Sequence, residues 1–292
     1  MLSLEELLEI ATEIDNIDKG REDDLLVYID EIYDDMYDEI IDIIMSFYGE
    51  YGDDVTWNEL NKGIQGDKIK QTSKRMERLK KLKDNTDDKY VRAKIQEEIQ
   101  RLKGRGLITH DKFLTDRINE KMIIATTKVS LEIKKFLSET ISREYKRATG
   151  KEIKDVEKSV LIPQYGKNWL DRLLDNKNKT LASIKVEIVK GIRSGRNPRD
   201  TIKKVQQLGK MTRYEAERLV RTENALARVE GAIEGYMQDD MIQKVIIIAV
   251  GDKKTCPDCR DRDGTIMKKE DVRADGIILH AHCRCTIAPY LE

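Results

Sequence analysis

The sequence predicts a mostly α protein of long helices, with a small C-terminal α+β module closed by a site of the zinc-knuckle type. Three observations predict this fold. Charged residues make up 37% of the 292 residues and aromatic residues only 5%, which is typical of long solvated helices with narrow apolar stripes. Apolar residues recur at helical spacing through most of the chain. The β-branched runs that predict strands, and all four cysteines, come after residue 243.

The first 150 residues show helical periodicity with two kinds of interruption. Four glycines mark a loop over Tyr48–Gly66, and Asn85-Thr-Asp-Asp88 divides a strongly charged segment into a helical hairpin or two helices in register. Narrow apolar lines of this kind usually pack on a neighbouring helix or on another subunit. We expect helices over Leu4–Ile17 and about Asp23–Phe47, the hairpin over Lys68–Leu102, and a helix over about Asp111–Arg147.

The second half begins with helices and ends with strands. Asn197-Pro198 supplies an N-cap and a first-turn proline, and Thr212 with Glu215 forms a capping-box pattern. β-Branched residues dominate the two runs that follow. We expect helices over Trp169–Ile192, Asn197–Leu208 and Thr212–Met237, and strands over Lys244–Val250 and Gly276–Leu279.

The charge is polarised along the chain. Residues 1–55 contain 19 acidic residues against Lys19 and Arg21, so their net charge of −17 nearly cancels the +16 of the remainder. This asymmetry fits an acidic surface for a partner and a basic body that contacts polyanions. It fits equally well an ordinary solvated acidic helix beside Lys-rich helices.

No apolar run approaches the roughly 18–20 residues that span a membrane. The first residues also lack the basic and apolar regions of a signal peptide. We therefore expect no membrane partner, and synthesis in a reducing cytoplasm.

The cysteines and two of the three histidines form a cluster over residues 256–285. Cys256-Pro-Asp-Cys259 is a C-x2-C knuckle, and a second Cys/His group follows some twenty residues later. Two knuckles at this spacing favour a tetrahedral structural zinc site. Disulfides in a mature extracellular particle, or plain buried thiols, are the alternatives. The candidate ligands are Cys256, Cys259, His280, Cys283 and Cys285, with His282 the weakest.

Several motifs in a fixed order carry a family resemblance. They are Gly195 before Asn-Pro-Arg-Asp, the helix with Arg221-Thr222-Glu223, Gly235, a strand, Asp252-x-x-Thr255-Cys-x-x-Cys259, Asp263-Gly264 and His280-x-x-Cys283-Arg284-Cys285. Over about residues 165–288 this series resembles the phage head morphogenesis family, the minor head proteins of the phage Mu F type.

The resemblance implies a division of the chain and a role. Residues 161–292 would be the Mu F-like domain, and residues 1–160 an acidic, then basic, coiled-coil-like helical region. The family implies a portal-associated minor head protein of a tailed phage, made in the host cytoplasm and located in the virion. It implies a role in procapsid assembly, with DNA packaging or ejection as further roles. The partners would be the portal protein, capsid and scaffolding proteins, and phage DNA without sequence specificity.

Alternatives from other functional classes remain open. The basic segments Lys68–Arg105 and Lys203–Arg228 suit non-specific DNA binding through phosphate contacts. A metal-dependent nuclease would use His280 or His282 as general base, but only seven residues follow Cys285, too few for the helix of a ββα site. A transferase based on Glu223 lacks a phosphate-binding glycine loop. We therefore expect a protein that is not an enzyme.

Overall fold

The computed structural model describes residues 4–52, 55–103, 107–161, 163 and 166–291. They form two compact units that interleave along the sequence. The predicted domain boundary at residue 160 stays a prediction, and Tyr165, where the resemblance begins, lies outside the described residues. Unit 1 consists of Met1–Val27, Glu132–Trp169 and Ala216–Glu292, and unit 2 of Tyr28–Leu131 and Leu170–Glu215.

The predicted predominance of helices is confirmed, and a small sheet follows them. No described helix combines the length and hydropathy that a membrane span requires. A single 3₁₀ turn, Lys269–Asp271, precedes the last helix. In chain order the elements are α1 (Leu4–Tyr51), α2 (Trp57–Leu60), α3 (Asp67–Asp84), α4 (Lys89–Lys103), α5 (His110–Thr149), α6 (Glu157–Val160), α7 (Trp169–Arg193), α8 (Pro198–Tyr236), β1 (Lys244–Ile248), α9 (Pro257–Arg262), β2 (Ile266–Lys268), α10 (Val272–Asp275) and β3 (Thr286–Tyr290).

The helical hairpin predicted over Lys68–Leu102 is confirmed as α3 and α4. The Asp88 carboxylate begins α4 by accepting hydrogen bonds from the backbone N–H groups of Tyr90 and Val91, at 2.9 and 2.8 Å. These bonds satisfy donors that have no partner within the helix.

Two predicted helix breaks were wrong. α1 is continuous where two helices were expected, and it extends to Tyr51, into the predicted loop. α8 is continuous through Thr212, whose hydroxyl donates to the Leu208 carbonyl at 3.0 Å instead of capping a new helix. The predicted loop also contains α2, with its own capping box from Thr56; residues 53 and 54 lie outside the described part.

The sheet is antiparallel, with strand order β2-β1-β3. β1 confirms the predicted strand, although it ends at Ile248. Gly276–Leu279 is not a strand, so that prediction was wrong; Ile277 and Ile278 are buried as irregular chain. The strand that pairs with β1 on this side is β3, in which Pro289 lies opposite Val245. The sheet tolerates the proline because β3 is an edge strand.

In unit 1, α8 and α5 approach closely through two glycines. A Cβ on Gly231 would lie 2.5 Å from the Ile141 carbonyl oxygen, and one on Gly235 would lie 2.5 Å from the Ala148 Cβ. No larger side chain fits without moving the backbone. The C-terminal part of α8 then packs under the sheet in one apolar cluster that includes Ala225, Ala232, Ile233, Tyr236, Val245, Ile247 and Ile287.

Candidate metal centre

The first Cys knuckle is positioned by the start of α9. Cys256 is the N-cap residue, and its Sγ accepts a hydrogen bond from the Cys259 N–H at 3.4 Å. Pro257 fills the first helical position, where the missing N–H costs nothing. The turn therefore directs both sulfurs to the same side, and Cys259 is buried.

The second knuckle is a tight turn between α10 and β3. The Cys283 N–H donates to the His280 carbonyl at 3.3 Å. His282 lies in this turn with φ of 60°, the left-handed conformation. Cys285 directly precedes β3, so the sheet fixes this end of the turn. Both Cys283 and Cys285 are buried.

The structure brings all five candidate ligands together. The His280 Nε2 lies 3.1 Å from the Sγ of Cys256 and 3.1 Å from that of Cys259. The sulfurs of Cys259 and Cys283 are 3.7 Å apart. Cys256, Cys259 and His280 form one group with donor atoms within 4.8 Å of one another, and Cys259, Cys283 and Cys285 form a second. Cys259 belongs to both groups and is therefore the centre of the cluster.

The His280 ring is oriented as a metal ligand. Its Nδ1 lies 2.7 Å from the Ala281 carbonyl oxygen. A carbonyl only accepts, so Nδ1 carries the proton. In the neutral ring Nε2 then has the lone pair and faces the sulfurs. A backbone partner that fixes the tautomer in this way is the usual outer-shell arrangement of a metal-binding histidine.

The four thiols differ in their tendency to ionise. The Cys259 N–H lowers the pKa of Cys256, whereas burial raises the pKa of Cys259 to about 12. Hydrogen bonding from Cys285 lowers the pKa of Cys283 to about 5, and the same contact raises the pKa of Cys285. The surroundings therefore favour the thiolates of Cys256 and Cys283, whereas those of Cys259 and Cys285 need added positive charge. A dication supplies that charge.

The donor set fits zinc. Tetrahedral Zn²⁺ with Zn–S bonds of about 2.3 Å and Zn–N bonds of about 2.0 Å has S···S edges of about 3.8 Å and S···N edges of about 3.5 Å. The observed distances of 3.7 and 3.1 Å are close to these edges. The four cysteines are free, and 3.7 Å is far beyond the roughly 2.05 Å of a disulfide bond.

His282 belongs to a different contact. Its backbone N–H donates to the Thr222 hydroxyl at 3.4 Å, and burial lowers the pKa of its ring. Thr222 in turn donates to the Arg218 carbonyl within α8 at 2.6 Å. The middle residue of the predicted Arg-Thr-Glu motif therefore connects α8 to the ligand-bearing turn.

Two residues close to Thr222 on α8, Arg221 and Asn224, contact acidic residues of α1. Arg221 pairs with Asp23 at 3.1 Å and with Glu22 at 3.5 Å. Glu223 is buried on the same helix. The next residue, Asn224, is fully buried and donates to Glu22 at 2.8 Å. Arg221 therefore joins α8 to the acidic helix α1 within unit 1.

One functional contact was not anticipated from the sequence. Arg284, between two candidate ligands, donates to the Asp252 carboxylate at 2.9 Å and to Asp15 of α1 at 3.2 Å. Hydrogen bonding to Arg284 also lowers the pKa of Asp252 well below its usual range. Both residues lie in the quoted motifs, but spacing alone does not show that they meet. Their pair joins the two knuckles and α1.

A comparison with known protein families shows which family this region is similar to. Residues 182–288 match the family model described as Phage Mu protein F like protein. The match confirms the resemblance predicted from the motif order. It contains the whole Cys/His cluster and all of α8. No curated protein and no solved structure matches the chain.

Proposed function

We propose that this chain is a minor head protein of a tailed phage, associated with the portal, with a structural rather than catalytic role in procapsid assembly. The observation that carries the proposal is the Phage Mu protein F like match over residues 182–288. The close contacts of the cluster with α8 and α1 support it, because they are contacts of a folding unit rather than of an open reaction cleft.

The cluster would hold a structural zinc ion. Cys256, Cys259 and His280 would bind it together with Cys283 or Cys285. Four protein donors leave no open position for substrate, which is the arrangement of structural zinc sites. The zinc would stabilise the fold by joining α9, the second knuckle and β3.

A structural role is better supported than DNA binding through α8. Arg213 pairs with Asp34 in unit 2. In unit 1, Arg221 pairs with Asp23, and Arg228 pairs with buried Asp18 at 3.2 Å. Phosphate contacts by these arginines would require breaking ion pairs, so salt-sensitive DNA binding through this helix is not expected.

The proposal is tested by the composition of particles and by portal binding. We expect mass spectrometry of purified heads to detect the chain in low copy number relative to the major capsid protein. We also expect the full-length chain, coexpressed with the portal protein of the same phage, to copurify with it. The major capsid protein alone is the matched control. Absence from purified heads would contradict the virion role, and equal retention by both baits would contradict portal specificity.

A further inference from the structure

A basic pocket lies in unit 2, away from the Cys/His cluster. It is formed by α1, α3 and α5 and has a volume of about 270 Å³. That is slightly smaller than the usual site for a drug-sized molecule, so it suits a small group. We call it the α3–α5 pocket; its lining residues are Ile43, Gln71, Lys74, Arg75, Arg78, Phe113, Arg117, Glu120 and Lys121.

Three of its five cations already have carboxylate partners. Arg78 donates twice to the buried Glu120, at 2.5 and 2.9 Å. Lys121 donates to Glu39 at 2.6 Å. Arg75, itself buried, lies 3.5 Å from Asp116. These three pairs are therefore neutral overall, and they include Glu120, the acidic residue among the lining residues given above.

The other two cations, Arg117 and Lys74, differ from these three. Among the described residues, neither has a carboxylate within ion-pair distance. Arg117 is half-buried, and burial lowers its pKa. Its guanidinium lies 6.0 Å from the centre of the Phe113 ring, and that of Arg75 lies 5.8 Å from the same ring. The Glu50 and Glu120 carboxylates also act on Arg117 at longer range, but they already pair with Lys68 and Arg78. The partly desolvated Arg117 guanidinium therefore has no carboxylate partner of its own, which is unfavourable, and an anion in the pocket would relieve this cost.

We propose that the α3–α5 pocket binds a phosphate-class anion, held by Arg117 and Lys74. The planar guanidinium matches a phosphate with two parallel hydrogen bonds, and the lysine adds a point charge from the other helix. The Gln71 amide is a further donor on the lining. A phosphate monoester carries about two negative charges near pH 7, enough to neutralise both cations, whereas a carboxylate carries one. Free phosphate and pyrophosphate meet this charge requirement, and so do two neighbouring phosphodiesters of a nucleic acid, each of which carries one negative charge.

The experiment measures binding to the full-length protein at low salt. Pyrophosphate is titrated by calorimetry, and a short fluorescent DNA duplex by anisotropy. The variants are Lys74→Gln and the double variant Lys74→Gln with Arg117→Gln. The matched control, Lys128→Gln with Lys179→Gln, removes the same charge from exposed positions on α5 and α7 in the same unit, outside both basic segments and the pocket lining. Thermal unfolding checks that each variant is folded, and the exposed Lys74→Gln carries the test alone if the double variant is not.

We expect Lys74→Gln to weaken binding about tenfold and the double variant to weaken it further, since each loses a charge-assisted hydrogen bond. The control should stay within about twofold of the wild type. Saturable binding of pyrophosphate would identify a free anion, and binding of DNA alone would identify phosphodiesters. If neither probe binds, or if the control loses as much affinity as the pocket variants, the proposal is overturned. The result does not depend on the proposed role in the virion.

Discussion

Units 1 and 2 are both largely helical, yet different kinds of interaction stabilise their interiors. Unit 2 relies on long side chains between helices; buried Lys177, for example, donates to Glu98 at 2.9 Å and to Asn119 at 3.2 Å. Unit 1 adds a backbone-to-backbone approach at Gly231 and a cluster of four cysteines and His280. Cys259, Cys283 and Cys285 belong to the same buried cluster as the sheet, so metal binding there should stabilise unit 1 and leave unit 2 unaffected.

Charge is organised more similarly in the two units than the sequence suggests. The acidic residues of α1 meet arginines of α8 within each unit: Asp23 meets Arg221 in unit 1, and Asp34 meets Arg213 in unit 2. Asp18 also accepts from Arg143 at 2.5 Å. The polarity of the chain is therefore largely compensated inside each unit, and it does not by itself define a partner surface.

Loss of metal should give the largest difference between the units. With chelator, or in His280→Asn, we expect the free energy of unfolding of unit 1 to fall by more than about 4 kcal/mol, because a structural zinc site contributes directly to folding. Hydrogen exchange should accelerate in β1 and β3 of unit 1, and it should stay unchanged in α3 and α4 of unit 2.

The matched control for that experiment is His282→Asn. Asparagine tolerates the left-handed conformation at this position, and His282 is outside both donor groups. This variant should retain about one zinc per chain by elemental analysis. Equal zinc loss in the two histidine variants would contradict the assigned ligands, and zinc-free wild-type protein with no titratable thiols would indicate disulfides.

Helix packing should give the next largest difference. Gly231→Ala in unit 1 places a methyl group against the Ile141 carbonyl, which is backbone, whereas Gly209→Ala in unit 2 meets only the Tyr37 ring at 3.3 Å. We expect Gly231→Ala to cost about 1–3 kcal/mol by overpacking, as measured by denaturant unfolding. Gly209→Ala should be nearly neutral, because the ring can shift while alanine favours the helix. A cost for Gly209→Ala equal to that of Gly231→Ala would show that the two contacts are equally rigid.

Two carboxylates, the partly buried Glu98 and the buried Glu22, should respond to pH in opposite directions. In unit 2 burial acts to raise the Glu98 pKa, but Lys177 and Arg101 together lower it below its usual value, whereas in unit 1 burial raises the Glu22 pKa. The ionised Glu98 carboxylate stabilises unit 2 above about pH 4.5. This contribution to the free energy of unfolding is lost as the pH falls through the pKa of Glu98 in the folded protein. The protonated Glu22 carboxyl group stabilises unit 1 below about pH 4.5. This contribution to the free energy of unfolding is lost as the pH rises through the pKa of Glu22 in the folded protein.

The test is a pair of amide variants. Glu98→Gln should destabilise at pH 7, and its effect should vanish in acid. Glu22→Gln should be neutral or stabilising at pH 7, since it removes a buried charge. Unfolding by urea at several pH values measures both. If the two variants have the same pH dependence, the contrast between their surroundings is wrong.

The smallest effect is expected at an exposed ion pair. Lys70 and Asp67 lie 3.4 Å apart, with side chains 80% and 87% exposed. Lys70→Gln should change the stability of unit 2 by less than about 0.5 kcal/mol, because solvent screens such pairs. A larger change in urea unfolding would show that surface pairs help to hold the helices of unit 2 together.

Periodicity and spacing predicted where most of the chain is helical, and they predicted that the Cys/His residues lie close together. They failed where tertiary contacts override local signals. Gly20 and its charged neighbours look like a break in α1, yet Asp18 is buried against Arg143 and Arg228, and the helix continues. Thr212 with Glu215 looks like a capping box, but the Thr212 hydroxyl lies 2.8 Å from the Tyr37 hydroxyl within unit 2.

The strand error has a related cause. Ile277 and Ile278 are β-branched and buried, but burial does not require pairing with a neighbouring strand. β3 contains Pro289, which argues against a strand unless that strand is at an edge. Only the sheet order shows that it is. The contact between Arg284 and Asp252 could not be predicted from the sequence either. Spacing identifies the two residues as parts of motifs, but only the tertiary structure shows that they pair.

The contact of Leu7 and Ala11 with Ile248 and Ala288 has a consequence for biosynthesis. The residues it joins are separated by up to roughly 280 positions in the sequence. The first turns of α1 therefore leave the ribosome long before β3 exists to cover them. Contacts of such high sequence separation form late and slow folding, and uncovered apolar surface attracts chaperones or neighbouring chains in the meantime. Unit 1 can be completed only after translation has passed the last cysteine.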